Sequence, residues 1–280
     1  MKLNFIRLTG NKTPKKILVV PDVHGRLFWK EPVAKLLDNV DRIVFLGDYL
    51  DPYYHLEKEI ADDIFQNLQE IVQLKRENPE KVVLLKGNHD QHYCSTIFKD
   101  WAGGTRMDEE NWEVYHEFFQ KNNKLFQLAH MEVVKGTTYV FTHAGITQYW
   151  LHKVNTELWK LPEKKVSLKD PEIIRKINQL DDEGEGQKLL SVIGKNRAWF
   201  GEETGSILWA DIDEHCTPDS PQDYGLNQVF QVFGHTRLKD AFEKISRENL
   251  AMIDSRQCFM IDESRKEKIL SLRKYLPEEE

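Results

Sequence analysis

The chain has 280 residues, 40% of them hydrophobic and 30% charged, with 15 Gly and 10 Pro; it is long enough to bury a proper core, and its composition is that of a globular protein. Its 39 Lys and Arg against 46 Asp and Glu give a formal charge of -7, which argues against a nucleic-acid surface, because phosphates call for a basic stripe. Three scattered cysteines (Cys94, Cys216, Cys258) with no C-x-x-C pair argue against a disulfide framework, no apolar run reaches the roughly 18 residues of a membrane span, and the amino-terminal MKLNFIRLTGNKTPKK is not a secretory signal, so a cytoplasmic protein is expected.

The first predicted strand covers residues 17–20 and runs into Pro-Asp-Val-His-Gly. A short helix over 31–38 follows, with Pro32 tolerated in its first turn. A second strand, 43–46, runs into Gly-Asp-Tyr-Leu-Asp. Ile60, Ile64, Leu68, Ile71 and Val72 then mark one face of a helix that Asn78-Pro79 ends. A third strand, 82–85, precedes Lys-Gly-Asn-His-Asp, and residues 109–121 read as helix. Strands at 128–134 and 138–142 flank Lys135-Gly136, and the second runs into Thr-His-Ala-Gly. From 148 to 225 the pattern loosens. Helices are expected near 171–180 and 187–193, around an acidic stretch at 181–186 read as a solvated loop. Residues 150–205 are read as an insertion covering the site, within one domain spanning 1–280, with Trp150, Trp159, Trp199 and Trp209 packing it against the body. A strand over 229–233 runs into Gly-His-Thr, strands at 251–254 and 258–262 are expected to close the sheet, and the charged tail from 265 is expected to fray.

Continuous apolar runs of four or five residues suit strands buried on both faces. Strands alternating with helices indicate an α/β sheet, which places ligands beyond the carboxyl ends of its strands. Five strand ends carry ionisable clusters: Asp22-x-His24, Asp48-x-x-Asp51, Asn88-His89-Asp90, His143 and His235. Taken singly, four of them have an ordinary reading as a capped turn or a core histidine, and Gly-Asn-His-Asp is the sharper signal because His is scarce; five in succession, each behind a buried strand, have no such ordinary reading. Mixed carboxylate and imidazole donors suit zinc, iron or manganese better than calcium. Two such ions about 3.5–4 Å apart acidify a water and clamp the oxygens of a transferring phosphoryl group.

The order D-x-H-G, G-D-x-x-D, G-N-H-D, T-H-A-G and G-H-T resembles the calcineurin-like metallophosphoesterases, and within them the phosphoprotein phosphatase branch. Trp101-Ala-Gly-Gly-Thr105, Ile207-Leu-Trp209-Ala-Asp211 and Met252-Ile-Asp254-Ser extend the likeness. The resemblance implies a four-layer α-β-β-α sandwich holding two metal ions (Mn, Fe or Zn). Asp22, His24 and Asp48 would hold the first ion; Asp48 would bridge to the second, completed by Asn88, His143 and His235. His89, oriented by Asp51, would be the acid for the leaving oxygen, and a carboxylate behind it favours its protonated form. The substrate would be a phosphorylated small molecule, nucleotide or protein.

The resemblance breaks where the branch keeps its phosphate-gripping arginines. After the second motif stands Asp51-Pro52-Tyr53-Tyr54-His55 in place of Asp-Arg-Gly, and between Arg197 and Arg237 there are seven acidic residues but no Lys or Arg. Replacements to consider are Arg26, Arg106 and Arg237, while Tyr49, Tyr53, Tyr54 and His55 could line the cleft. A phosphomonoesterase is the leading expectation. A nucleotide pyrophosphatase or phosphodiesterase is the alternative, favoured by the lost arginines, and a non-catalytic metal-binding scaffold is the third.

Overall fold

The computed structural model describes residues 16–53, 60, 62–99, 106–182, 184–216, 224–238 and 244–276. Its elements begin with β1 (Lys16–Val20), α1 (Lys30–Leu36), β2 (Arg42–Phe45), α2 (Ile64–Glu77), β3 (Val82–Leu85), α3 (Asn88–Cys94) and α4 (Thr96–Lys99). Next are α5 (Trp112–Asn122), β4 (Phe126–Gln127), β5 (Ala129–Val134), β6 (Thr137–Thr142), α6 (Gln148–Val154), α7 (Pro171–Gln179) and α8 (Gly184–Leu190). The chain closes with β7 (Phe230–Phe233), β8 (Ile245–Arg247), β9 (Leu250–Met252), β10 (Phe259–Asp262), β11 (Ile269–Ser271) and α9 (Leu272–Tyr275).

Two mixed sheets form, in the orders β11-β10-β1-β2-β3-β4 and β5-β6-β7-β9-β8. Side-chain alternation along the strands builds the layers. Leu18, Val20, Ile43, Phe45, Val82 and Leu84 face a cluster that includes Val33, Leu68, Ile71 and Phe119 of α1, α2 and α5. Their neighbours Ile17, Val19, Val44, Leu46, Val83 and Leu85 face the opposite way, onto Tyr139, Phe141, Val232 and Ala251 of the second sheet. The far side of that sheet, with Ala129 and Val140, packs against Leu151, Ile173, Ile177 and Leu190 of α6, α7 and α8. The result is the expected α-β-β-α sandwich, and it explains the uninterrupted apolar runs: every position on these strands meets one layer or another. Among the described residues no helix is long and apolar enough to cross a membrane.

The helix boundaries obey local chemistry. Asp63 caps α2 by accepting the Gln66 N–H at 2.8 Å, and Asp170 caps α7 with Pro171 at its first position. Ile60 lies outside α2 and bridges Arg26 instead.

Several other expectations need correction. The strands near 251 and 258 do not close one sheet: β9 pairs with β7, whereas β10 pairs with β1 in the other sheet. Residues beyond 265 do not simply fray, since β11 adds to β10 and α9 buries Tyr275. Residues 150–205 do more than cover the site, because they carry helices of the outer layer. The tryptophans also divide. Trp150 is buried and donates to the Leu189 carbonyl at 2.8 Å, but Trp199 is 95% exposed.

The acidic stretch is not simply a solvated loop either. Lys86, 1% exposed and just before the third motif, pairs with Asp181 and donates to Asn123 at 2.5 Å; Gln91 reaches the other Asp181 oxygen at 3.3 Å. Although burial disfavours its charge, Cys94 and Asp181 hold the Lys86 ammonium above its ordinary value. Asp181→Ala would strand that cation, so a loss of about 3–5 kcal/mol in urea unfolding is expected. Lys86→Met with Asp181→Leu is expected to recover most of it.

Candidate functional site

Parallel pairing places the carboxyl ends of β1, β2 and β3 side by side, and likewise those of β6 and β7. The turns beyond them are tightly wound. His24, Asp48, Asp51 and His235 all have positive φ, from 45° to 68°, a conformation that costs a non-glycine residue about 1–2 kcal/mol. The surroundings hold it. His24 N–H donates to the Asp48 carbonyl at 2.6 Å. The Asp90 carboxylate accepts the N–H groups of Asp48 (2.7 Å), Tyr49 (2.9 Å) and Gly87 (2.8 Å), tying the second motif to the third. Gly47, at φ 104°, has no room for a Cβ, which would collide with the Lys86–Gly87 backbone.

Asp22, His24, Asp48, Asn88, His143 and His235 are brought together. His143 Nδ1 and His24 Nδ1 each meet a backbone carbonyl, Leu46 and Leu50, at 2.9 Å. A carbonyl only accepts, so Nδ1 carries the proton and Nε2 the lone pair. His24 Nε2 then faces Asp48 Oδ2 at 3.4 Å, and His143 Nε2 faces the same oxygen at 3.5 Å. Asn88 Oδ1 lies 2.9 Å from both His143 Nε2 and His235 Nδ1. Both Asp22 oxygens accept the His235 N–H, at 3.0 and 3.1 Å.

Electrostatics favour a cation here. Burial drives His24, His143 and His235 below their ordinary values, further lowered at His24 by the charges of His89 and Arg26 and at His235 by that of Arg197. The three rings are therefore neutral, the form that binds metals. Asp48 is pushed well above the carboxylate range by burial and by Asp22 and Asp90. Acceptor atoms face one another at short range: His143 Nε2 lies 3.1 Å from His235 Nδ1, and both lie 2.9 Å from Asn88 Oδ1, an arrangement that a shared cation would satisfy. His24, Asp48 and His89 form one group of suitable metal donors and Asp48, His143 and His235 another. The donor set fits two ions sharing Asp48. If ions fill it, manganese at 100 times its dissociation constant is expected to stabilise the chelator-treated protein by about 2.7 kcal/mol, read from thermal unfolding.

His89 stands beside this cluster. Its Nδ1 donates to Asp51 Oδ2 at 2.7 Å, its N–H donates to Asp48 Oδ1 at 2.9 Å, and Tyr93 Oη donates to the other Asp51 oxygen. Arg106 lies alongside: its Nη2 is 3.4 Å from His89 Nε2, its Nε donates to the Asp51 carbonyl at 3.2 Å, and its guanidinium stacks 3.0 Å from the Tyr53 ring centre. Tyr53 also meets His24 edge-on at 5.3 Å.

The remaining candidates are placed differently. Arg26 is buried, and its guanidinium donates to the carbonyls of Val23 (2.9 Å) and Asp22 (2.6 Å), bracing the first motif. Arg237 is exposed on the surface. Tyr49 is fully buried, donating to the Leu85 carbonyl at 2.9 Å, and so does not line the cleft. Tyr54 and His55 lie outside the described residues, as do Trp101–Thr105.

Sequence reasoning missed three contributors. Asp90 sat inside the quoted tetrapeptide, yet its role as the tie between two motifs depends on backbone partners no pattern displays. Trp209 meets His235 edge-on at 6.0 Å and His92 at 6.2 Å, so it flanks the centre as well as the fourth layer. Arg197 donates to Thr236 Oγ1, one residue from His235, and its Nε lies 3.2 Å from Asp211.

Comparisons with known proteins bear on the fold and the family. No curated protein matches the chain. Among solved structures it is similar to a cold-active protein-tyrosine phosphatase of the psychrophile Shewanella sp. (TM-score 0.54, 15% identity, 92% of this chain and 80% of that one). It is likewise similar to a protein serine/threonine phosphatase from Saccharomyces cerevisiae with similarity to human phosphatase PP5 (TM-score 0.50, 15% identity, 93% and 80%). At such identity these likenesses speak for the fold alone. The family model for calcineurin-like phosphoesterases matches residues 15–236, and the chain belongs to that family of metal-dependent hydrolases acting on ester bonds.

Proposed function

We propose that the protein is a phosphomonoesterase in which Asp22, His24, Asp48, Asn88, His143 and His235 hold two ions (manganese, iron or zinc), His89 is the acid, and Arg106 and Arg197 receive the phosphate. The observation that carries the monoester reading is the pair of guanidinium groups beside the cluster, Arg106 next to His89 and Arg197 next to Thr236. A monoester dianion has one more charged oxygen than a diester, and arginine is the side chain best shaped to bind it. The diester alternative drew on arginines missing at the family's positions and on the aromatic side chains after the second motif; these two arginines, from elsewhere in the chain, weigh against the first of those grounds.

When bound, the metals acidify a water and neutralise charge on the phosphoryl oxygens. The chain's own groups do the rest. Asp48, held at positive φ by Asp90, presents its carboxylate to both halves of the site. Asp51 keeps the Nδ1 proton of His89 engaged, so Nε2 is the nitrogen turned toward the leaving oxygen, where it can deliver a proton. Arg106 is held by Tyr53 and the Asp51 carbonyl, which orients its remaining donors without substrate.

The test is hydrolysis of p-nitrophenyl phosphate against bis(p-nitrophenyl) phosphate with manganese. The expected result is monoester preference, and Arg106→Ala and Arg197→Ala are each expected to lower monoester kcat/KM about tenfold or more while changing diester turnover less. Diester preference by the unmodified enzyme would overturn the reading.

A further inference from the structure

Five large apolar side chains stand exposed among the described residues, and two of them are consecutive: Trp199 (95% exposed) and Phe200 (63%). Their rings meet edge to face at 5.6 Å. The loop that carries them is firmly built. Lys195 N–H donates to the Glu202 carbonyl at 2.8 Å and Glu202 N–H to that of Ile193 at 2.9 Å, closing the base; Gly201 N–H donates to that of Ala198 at 2.8 Å, shaping the tip. A Cβ at Gly201 would strike the Gly194 carbonyl. The buried Glu214 carboxylate accepts the N–H groups of Asn196 (3.2 Å) and Gly205 (2.7 Å) from beneath. One side of this loop sends Arg197 to Thr236 beside the metal cluster. The other holds the two aromatic rings in water.

Phe200 also borders a groove of about 680 Å³ whose apolar lining includes Leu158, Leu189, Val192 and Ile193. Three acids and two lysines line it: Lys153 lies 2.6 Å from Glu202 and 3.8 Å from Glu157, and Lys188 lies 2.6 Å from Glu185. A rim with more acid than base offers little to a polyanion, whereas an exposed aromatic pair, of which Phe200 borders an apolar trough, matches the anchor of a protein-recognition surface.

We infer that Trp199, Phe200 and this groove dock the polypeptide of a phosphorylated protein substrate, seating an apolar side chain a few residues from the phosphorylated one. The inference rests on the phosphomonoesterase reading and narrows its substrate class from any phosphate ester to phosphoprotein. Continuity with the site selects this occupant, because one loop carries both Arg197, which reaches Thr236 next to His235, and the exposed aromatic pair. Arg197 and Trp199 are two residues apart, at most about 7 Å of chain, and the arginine side chain adds a similar reach. An extended peptide spans that distance in about four residues.

The experiment compares the unmodified enzyme with Trp199→Ala/Phe200→Ala on p-nitrophenyl phosphate and on two phosphoserine peptides, one with leucine and one with serine four residues to either side. Expected for the variant is a fall of about tenfold in kcat/KM on the leucine peptide, through KM, with kcat and p-nitrophenyl phosphate turnover unchanged and the preference for leucine lost. Binding of the fluorescein-labelled peptides, read by polarisation in EDTA, separates failure of the surface from failure of the phosphatase reading. Tighter binding of the leucine peptide by the unmodified enzyme than by the variant sustains the surface even without turnover. Phosphatase activity with equal binding and equal peptide kinetics leaves the enzyme standing and overturns the surface. A concentration-dependent dimer in sedimentation, lost in the variant, would overturn it too, by assigning the face to a second copy.

Discussion

Asp48→Asn is expected to abolish activity and the second metal while leaving the apoprotein as stable as the unmodified one, or more so. The carboxylate faces His24 and His143 through one oxygen and the His89 N–H through the other. An amide keeps the shape, and one oxygen to accept that N–H, but cannot bridge two cations. Metal assistance supplies several kcal/mol, and each 1.36 kcal/mol is tenfold in rate, so kcat is expected to fall about a thousandfold or more. Metal content, read by atomic emission, should drop toward one ion or none.

The stability half of this prediction follows from the sign of the shift. Burial, Asp22 and Asp90 raise the Asp48 carboxyl in the folded apoprotein. The folded state therefore binds this proton more tightly than the unfolded chain. Its contribution is fully present below the ordinary carboxylate range and lost as pH rises through the folded value. At neutral pH the unmodified apoprotein carries that penalty and the Asn variant does not. Apoprotein unfolding from pH 5 to 8 checks it: the difference should favour the variant increasingly as pH rises. Equal loss of apoprotein stability at every pH would instead mark Asp48 as a purely structural group.

How much of this could be read in the chain follows from what each feature depends on. The five strand ends were legible because a buried run stopping at Asp, Asn or His is a local signal, repeated five times. The layers were not, since Ile17 and Leu18 look alike in sequence and yet face different cores. For the same reason β9 and β10, short apolar runs a few residues apart, could not be assigned to separate sheets: β9 joins β7, which shortly precedes it, whereas β10 reaches back to β1 at the start of the fold. The tail hid its strand because Ile269-Leu270-Ser271 is a brief apolar run among charges. Single residues left the least trace. Asp181 reads as one acid in an acidic stretch until Lys86 is placed against it. Arg197 reads as a surface cation until Thr236 comes near. The departure that cast doubt on phosphate recognition, Pro52 in place of an arginine, was real in sequence, and what answers it in space, Arg106 stacked on Tyr53, comes from about fifty residues away.

His89 provides the sharpest discrimination between acid and ligand, because the geometry admits both. Its Nδ1 is engaged by Asp51 at 2.7 Å, which leaves Nε2 open, yet it also belongs to a donor group with His24 and Asp48. As an acid it matters in proportion to how badly the leaving oxygen needs a proton. For an alkyl phosphate or phosphoserine, His89→Asn is expected to cost about 10²–10⁴ in kcat. For p-nitrophenyl phosphate, whose leaving group departs as a stable anion, the cost should shrink to about tenfold or less, with two metals still bound. Asp51→Asn should reproduce the pattern in weaker form, since the ring keeps its place but loses the carboxylate that engages its Nδ1 proton. A uniform loss across leaving groups accompanied by loss of metal would place His89 among the ligands. Steep dependence on the leaving group at full metal content can come only from a proton delivered late in bond cleavage, and the nitrogen placed to deliver it is Nε2, next to Arg106.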